Sequence, residues 1–147
     1  GIVKDLMPDV TIYLYGSKDP GGPWFDHKHL GLLGLEACNR LYNKCTVGLC
    51  LSSSNPSRIP FEMMASGLPV VEMFRESTLY DLPQGAALLC DPTPESLAEG
   101  LLRILGDPSL AAKMGRTGLE RRKLHYAHAD AEDWQALLTN LDCLTRF

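Results

Sequence analysis

Between Ser52 and Val71 the sequence runs Ser-Ser-Ser-Asn-Pro-Ser-Arg-Ile-Pro-Phe-Glu-Met-Met-Ala-Ser-Gly-Leu-Pro-Val-Val. A polar loop, Ser52 to Ser57, leaves the short apolar run Thr46–Leu51 and enters a stretch with helical character that stops at Gly67. The first turn of a helix presents unpaired N–H groups and a partial positive charge, which suits a phosphate or diphosphate. Arg58, at the start of that helix, can add a full charge and a two-pronged donor to phosphate oxygens. Glu62, a little over one turn further in, is a carboxylate able to accept two hydrogen bonds from a vicinal diol such as a ribose. On the residues alone a plainer account stays open. Arg58 and Glu62 also suit an exposed i,i+4 pair, and Ser57 suits a simple N-cap.

The elements around this stretch follow from punctuation and periodicity. Val10–Tyr15 is apolar and β-branched between Pro8 and Gly16, which predicts a strand. Ser17–Asp26, with two prolines among glycines and aspartates, predicts a loop, and His29–Leu33 a second short strand. Leu35, Cys38, Leu41 and Tyr42 recur at helical spacing up to Asn43, and Thr46–Leu51 is a buried strand. The helix beginning near Ser57 ends at Gly67, which suits a left-handed C′ position, with Pro69 barring its continuation. Pro69–Met73 and Ala86–Cys90 predict two more strands. Thr93-Pro94 and Asp107-Pro108 each set a capping side chain before a proline at the first helical position. Asp130 is placed to cap a last helix with an apolar stripe of Trp134, Leu137, Leu138, Leu141 and Leu144. Strands alternating with helices in this way predict an α/β fold, a Rossmann-like parallel sheet flanked by helices with a helical C-terminal tail. Ligands of such sheets bind beyond the carboxyl ends of the strands, which puts the Ser52–Ser57 loop where chemistry is expected.

Composition narrows the class. The 147 residues are 45% apolar and 22% charged, ordinary for a globular domain. A net charge of −4 argues against nucleic acid as a partner. No apolar run reaches the ~20 residues of a membrane-spanning helix. The N-terminal residues lack the apolar core of a signal peptide, and a cytoplasmic setting is expected. Five cysteines (Cys38, Cys45, Cys50, Cys90, Cys143), odd in number and with no C-x-x-C pair, predict free thiols and no zinc. His27-Lys28-His29 lacks companions for a metal site and suits a polar strand edge. Met63-Met64 suits core filling. The basic run Lys113, Arg116, Arg121, Arg122 and Lys123 suits a solvated helix face, with contact to an anionic membrane surface as the sharper alternative.

The segment Ser54–Val71 resembles the signature of retaining glycosyltransferases of GT-B architecture, a glutamate, seven residues and a second glutamate, continuing as Ala-x-Gly-x-Pro-Val-Val. His29-Leu30-Gly31 and the passage Leu41 to Leu49 are similar to flanking parts of the same pattern, as are Gly85–Pro92 and the helices after it. The likeness covers nearly the whole chain and is most specific at its centre. It implies a single donor-binding domain over residues 1–147, one half of a GT-B fold, taking a nucleoside-diphosphate sugar and needing no cofactor or bound metal. Glu62 matches the second glutamate, which holds the donor ribose. Backbone around Ile59 would face the diphosphate, with Asn55, Ser57 and Arg58 completing the donor-binding set.

Ser54 stands in the place of the first glutamate, near the reacting carbon. A serine can hydrogen-bond a sugar hydroxyl but cannot supply negative charge beside a developing oxocarbenium ion. The wording from Ser54 to Met64 looks most like a branch that makes bacterial rhamnose-containing surface polysaccharide. The glycan acceptor would be held by a second domain. The resemblance also implies a central strand, followed by basic residues, that has no counterpart before Val10. A homodimer formed across that gap is one expectation, because an unpaired strand edge invites association. Two rival functions remain, a non-catalytic interaction domain of the same fold and a sugar-nucleotide epimerase of GT-B type.

Overall fold

The computed structural model describes residues 1–19, 21–53, 57–82 and 84–125, with only the backbone of residues 122–125. Its elements are α1 (Ile2–Leu6), β1 (Tyr13–Leu14), β2 (Lys28–His29), α2 (Leu35–Tyr42), β3 (Gly48–Cys50), α3 (Arg58–Ala65), β4 (Val70–Met73), α4 (Glu76–Asp81), β5 (Ala87–Cys90), α5 (Pro94–Gly106) and α6 (Pro108–His125). All strand pairings are parallel and helices flank them, as the alternating pattern predicts.

The strands form two pieces rather than one continuous sheet. β3, β4 and β5 lie in that order, and β1 pairs only with β2, Tyr13 opposite Lys28 and Leu14 opposite His29. Among the described residues no backbone pairing joins β1 to β3, so each keeps one open edge. The two predicted N-terminal strands shrink for the same reason: each extends only as far as its single partner. Gly31, at φ +68°, then turns the chain away.

β4 is the centre of the larger piece, and Val70 and Val71 are fully buried on opposite faces. Val70 joins Cys38, Tyr42, Cys50, Met63, Met64 and Leu68, the core under α2 and α3. Val71 joins Cys90, Ile104 and Met114, the core under α5 and α6. Met63 and Met64 are thus core residues. Leu49 and Leu51, at 42% and 58% exposure, are left open beside the free edge of β3.

The caps hold. Thr93 Oγ1 accepts from Ser96 N–H at 3.2 Å, and Asp107 Oδ1 from Leu110 N–H at 2.9 Å. At the end of α3, Gly67 takes φ +78°. Its N–H donates to Met64 O at 3.0 Å and the Leu68 N–H to Met63 O at 3.0 Å, the paired bonds of a Schellman turn. Two helices carry no periodic apolar signal and escape sequence reading. α1 has no buried residue. α4 starts where Thr78 Oγ1 accepts the Arg75 N–H at 2.8 Å. Asp130 and the stripe from Trp134 to Leu144 lie outside the described residues.

Cys38, Cys45, Cys50 and Cys90 are free. Burial raises all four thiols, and the nearby Glu72 charge adds to it at Cys50, pushed up to about 12. The folded state therefore binds these protons more tightly than the unfolded chain, whose thiols titrate near 9.0. For Cys50 that stability is fully present below about pH 9 and lost as pH rises toward 12, at up to ~1.4 kcal/mol per pH unit, and the other three thiols act in the same direction. Urea midpoints are expected to fall between pH 8 and pH 10, and less steeply in Cys50→Ala. Equal midpoints at the two pH values would contradict this.

Candidate functional site

The Ser52–Ser57 loop leaves the carboxyl end of β3 and delivers the chain to α3. Its first residue is tied down. Glu72 on β4 is 0% exposed and accepts from Ser52 N–H at 2.9 Å, from Ser52 Oγ–H at 2.8 Å and from Met73 N–H at 2.8 Å. Its last residue, Ser57, is the N-cap of α3 and accepts the Ile59 N–H on its hydroxyl at 3.3 Å. That bond is long for an N–H···O contact, and Pro60 has no N–H to offer. A bound anion would thus compete with the Ser57 hydroxyl for the Ile59 amide. Ser54 and Asn55, two of the residues singled out from the sequence, lie outside the described residues.

Ser57, Arg58 and Ile59 are exposed at the start of α3, while Pro60, Met63 and Met64 face inward. This division fixes the helix by its buried side and leaves its first turn open. Glu62 sits between the two faces, half-buried.

A pair that sequence reasoning missed lies in the core under α3. The hydroxyls of Tyr15, just past β1, and Tyr42, the last residue of α2, are 2.8 Å apart, with their rings edge to face. Burial above all raises both phenols, and the Glu62 charge is a smaller cause in the same direction. The carboxyl end of β1, the end of α2 and α3 meet in one core, where Tyr15 and Tyr42 pack with Met63 and Met64. Tyr15 and Tyr42 were each legible as apolar positions, but their pairing spans two elements and has no local signal.

The histidines are engaged elsewhere, His29 beside the carboxyl end of β1. His27 Nδ1 lies 2.8 Å from Phe25 O and His29 Nε2 lies 3.0 Å from Ser17 O, so each ring is engaged with local backbone. Among the described residues no three His, Cys, Asp or Glu side chains cluster as metal ligands would. Lys113, Arg116 and Arg121 are exposed on α6. No described helix is long and apolar enough to cross a membrane. A hollow lined by Leu79, Leu82, Gln84, Gly85, Ala87 and Leu89 has no ionisable side chain among these residues.

Comparison with known proteins identifies the family and the fold. A family profile described as "WsaF, C-terminal domain" matches residues 4–102. Over 95 residues the chain is 36% identical to the O-antigen biosynthesis protein RfbC of Myxococcus xanthus, covering 63% of this chain and 8% of that protein. Sucrose-phosphate synthase from Thermosynechococcus elongatus superposes with a TM-score of 0.68 at 21% identity, over 98% of this chain and 41% of the synthase. S. aureus TarM, solved with fondaparinux, alpha-GlcNAc-glycerol and UDP, superposes with a TM-score of 0.65 at 16% identity, over 95% of this chain and 30% of TarM. The chain thus spans well under half the length of each of these proteins. It belongs to the WsaF C-terminal domain family and is built as one half of a GT-B glycosyltransferase fold.

Proposed function

We propose that the chain is the donor-binding domain of a glycosyltransferase that moves a sugar from a nucleoside diphosphate to a glycan acceptor, with retention and without a bound metal. The observation that carries this reading is the half-buried Glu62, one turn into a helix whose open first turn follows the loop from β3. In this account Glu62 accepts two hydrogen bonds from the donor ribose. The N-terminus of α3 and Arg58 take the diphosphate and stabilise the charge it gains as it leaves. Asn55 and Ser57 add polar contacts, and Ser54 meets the sugar near the reacting carbon.

The likeness to an O-antigen biosynthesis protein of Myxococcus and the UDP in the TarM structure favour a nucleotide sugar and a bacterial surface polysaccharide. The likeness of Ser54–Met64 to the rhamnose-polysaccharide branch points the same way. The acceptor would be held by a second domain, so this chain by itself should bind donor weakly and transfer little. Work at the cytoplasmic face of the membrane fits this reading, with the exposed cations of α6 turned to anionic lipid. The open edges of β1 and β3, with Leu49 and Leu51 exposed nearby, would suit a second copy joined across the gap.

Calorimetry with UDP, TDP and GDP tests the donor reading. Saturable binding of at least one is expected. No binding of any at millimolar ligand would contradict it and favour the second reading, an interaction domain that retains the fold without the chemistry. Ser54, which supplies no negative charge, is the residue that speaks for that second reading.

A further inference from the structure

We propose that α6 is the side on which the domain rests against an anionic lipid surface, and that this pose turns the open first turn of α3 away from the lipid. The inference rests on the membrane contact in the reading above and deepens it, fixing which face touches lipid and where the donor opening then points.

Charge is spread unevenly along the chain. The protein has a net charge of −4, yet α6 carries five of its 14 Lys and Arg and one of its 18 Asp and Glu. Lys113, Arg116 and Arg121 are exposed on it, as is Glu120. The same helix buries Met114 with Val71, Cys90 and Ile104, and Leu110 and Ala111 pack against that core. Gly115 and Gly118 turn to α3, so closely that a Cβ on them would lie 2.5 Å from Gly67 O and 2.7 Å from Met64 O. At 3.6 residues per turn, Lys113, Arg116 and Glu120 fall on the side of α6 opposite these two glycines, with Arg121 on its flank. The core and α3 thus hold the cationic side outward. Leu119, 42% exposed, adds an apolar side chain one turn from Arg116.

One basic side on an acidic protein fits a lipid surface better than nucleic acid, whose binding domains are basic as a whole. Each Lys or Arg near an anionic leaflet strengthens contact about five-fold, while acidic groups more than ~8 Å off are screened at physiological salt. The pose follows from where α6 lies. It crosses α3 at its C-terminal end, beside Gly67 O and Met64 O. α3 is 8 residues long, so its first turn is roughly 12 Å from that end, and the width of α6, about 10 Å, separates that end from the cationic side. The start of α3 is therefore remote from lipid and open to nucleotide in solution.

Sedimentation of the full chain with phosphatidylcholine vesicles, alone and mixed with phosphatidylglycerol, tests the contact. The wild type is expected to bind the mixed vesicles, to bind pure phosphatidylcholine at least about ten-fold more weakly, and to be released by salt. A triple variant, Lys113→Gln with Arg116→Gln and Arg121→Gln, alters exposed side chains only and should keep its melting temperature. It should bind the mixed vesicles about 100-fold more weakly. The pose is read by NMR on protein bound to bicelles of the mixed lipids that carry a headgroup gadolinium chelate. Amides from Ala112 to Arg121 should be attenuated most, and those from Ser57 to Glu62 least.

Strongest attenuation at the start of α3 would overturn the proposal, as would vesicle binding indifferent to phosphatidylglycerol or undiminished in the triple variant. Tighter binding to a DNA duplex than to the mixed vesicles would overturn it too, assigning the cations to nucleic acid. Protein that binds UDP but no vesicles defeats this inference alone. Protein that binds the mixed vesicles in the stated pose but no nucleotide defeats the donor reading alone.

Discussion

Glu62→Ala is expected to weaken nucleoside-diphosphate binding by about ten- to a hundred-fold while leaving the fold intact. Hydrogen bonds to a charged group contribute ~1.5–3 kcal/mol each, and a ribose diol offers two to one carboxylate. Part of that is offset because the half-buried Glu62 is still reached by water in the free protein. The helix itself does not depend on this side chain, since α3 is held by the buried Pro60, Met63 and Met64. Thermal unfolding should therefore change little. Glu62→Gln keeps the size and one good acceptor, and its affinity should fall between the wild type and the alanine variant. Calorimetry on the three proteins with the same nucleotide reads the series. A change smaller than about two-fold in Glu62→Ala would remove Glu62 from the site.

The second large effect concerns stability, and it arises where α6 crosses the end of α3. A Cβ built on Gly115 would lie 2.5 Å from the carbonyl oxygen of Gly67, and one on Gly118 would lie 2.7 Å from that of Met64. Both obstacles are backbone atoms. They belong to the turn that closes α3, where the bonds from Gly67 and Leu68 leave little room to yield. In Gly115→Leu the helix gains up to ~1 kcal/mol of propensity but must be pushed off its neighbour, an overpacking cost of ~1–3 kcal/mol or more. The net result is a lower melting temperature, by about 2–8 °C for a domain of this size. Gly106→Ala is the control, because nothing lies within 4 Å of its added Cβ. It should melt within a degree or two of the wild type. If Gly115→Leu melts like that control, the close crossing of α3 and α6 is wrong.

Most of the α/β grammar was legible in the sequence because it is local. α3 has a serine cap and a glycine stop, and α5 and α6 announce themselves through Thr93-Pro94 and Asp107-Pro108. α2 and β4 follow from periodicity and from an unbroken apolar run. What stayed hidden is non-local. Whether Val10–Tyr15 is a full strand depends on what lies beside it, and among the described residues β1 pairs on one side only. α4 starts on a threonine hydroxyl rather than an apolar stripe.

The site divides in the same way. Glu62, Ser57 and Arg58 could be picked out from one stretch of chain. The Tyr15–Tyr42 pair and the bonds from Ser52 to Glu72 could not, since each joins two elements far apart in the chain. Glu72 had one sign in the sequence, an acidic residue directly after Val70-Val71 in a strand read as buried, and it was passed over.

Titrating UDP into isotope-labelled protein and following every backbone amide by NMR tests the central claim most directly. The account predicts progressive, saturable shifts centred on Ser52, Ser53 and the Ser57–Glu62 turn, extending to Gly16 and Ser17 beyond β1. Shifts confined to α6 or to the hollow between Leu79 and Leu89, with the start of α3 unmoved, would contradict it.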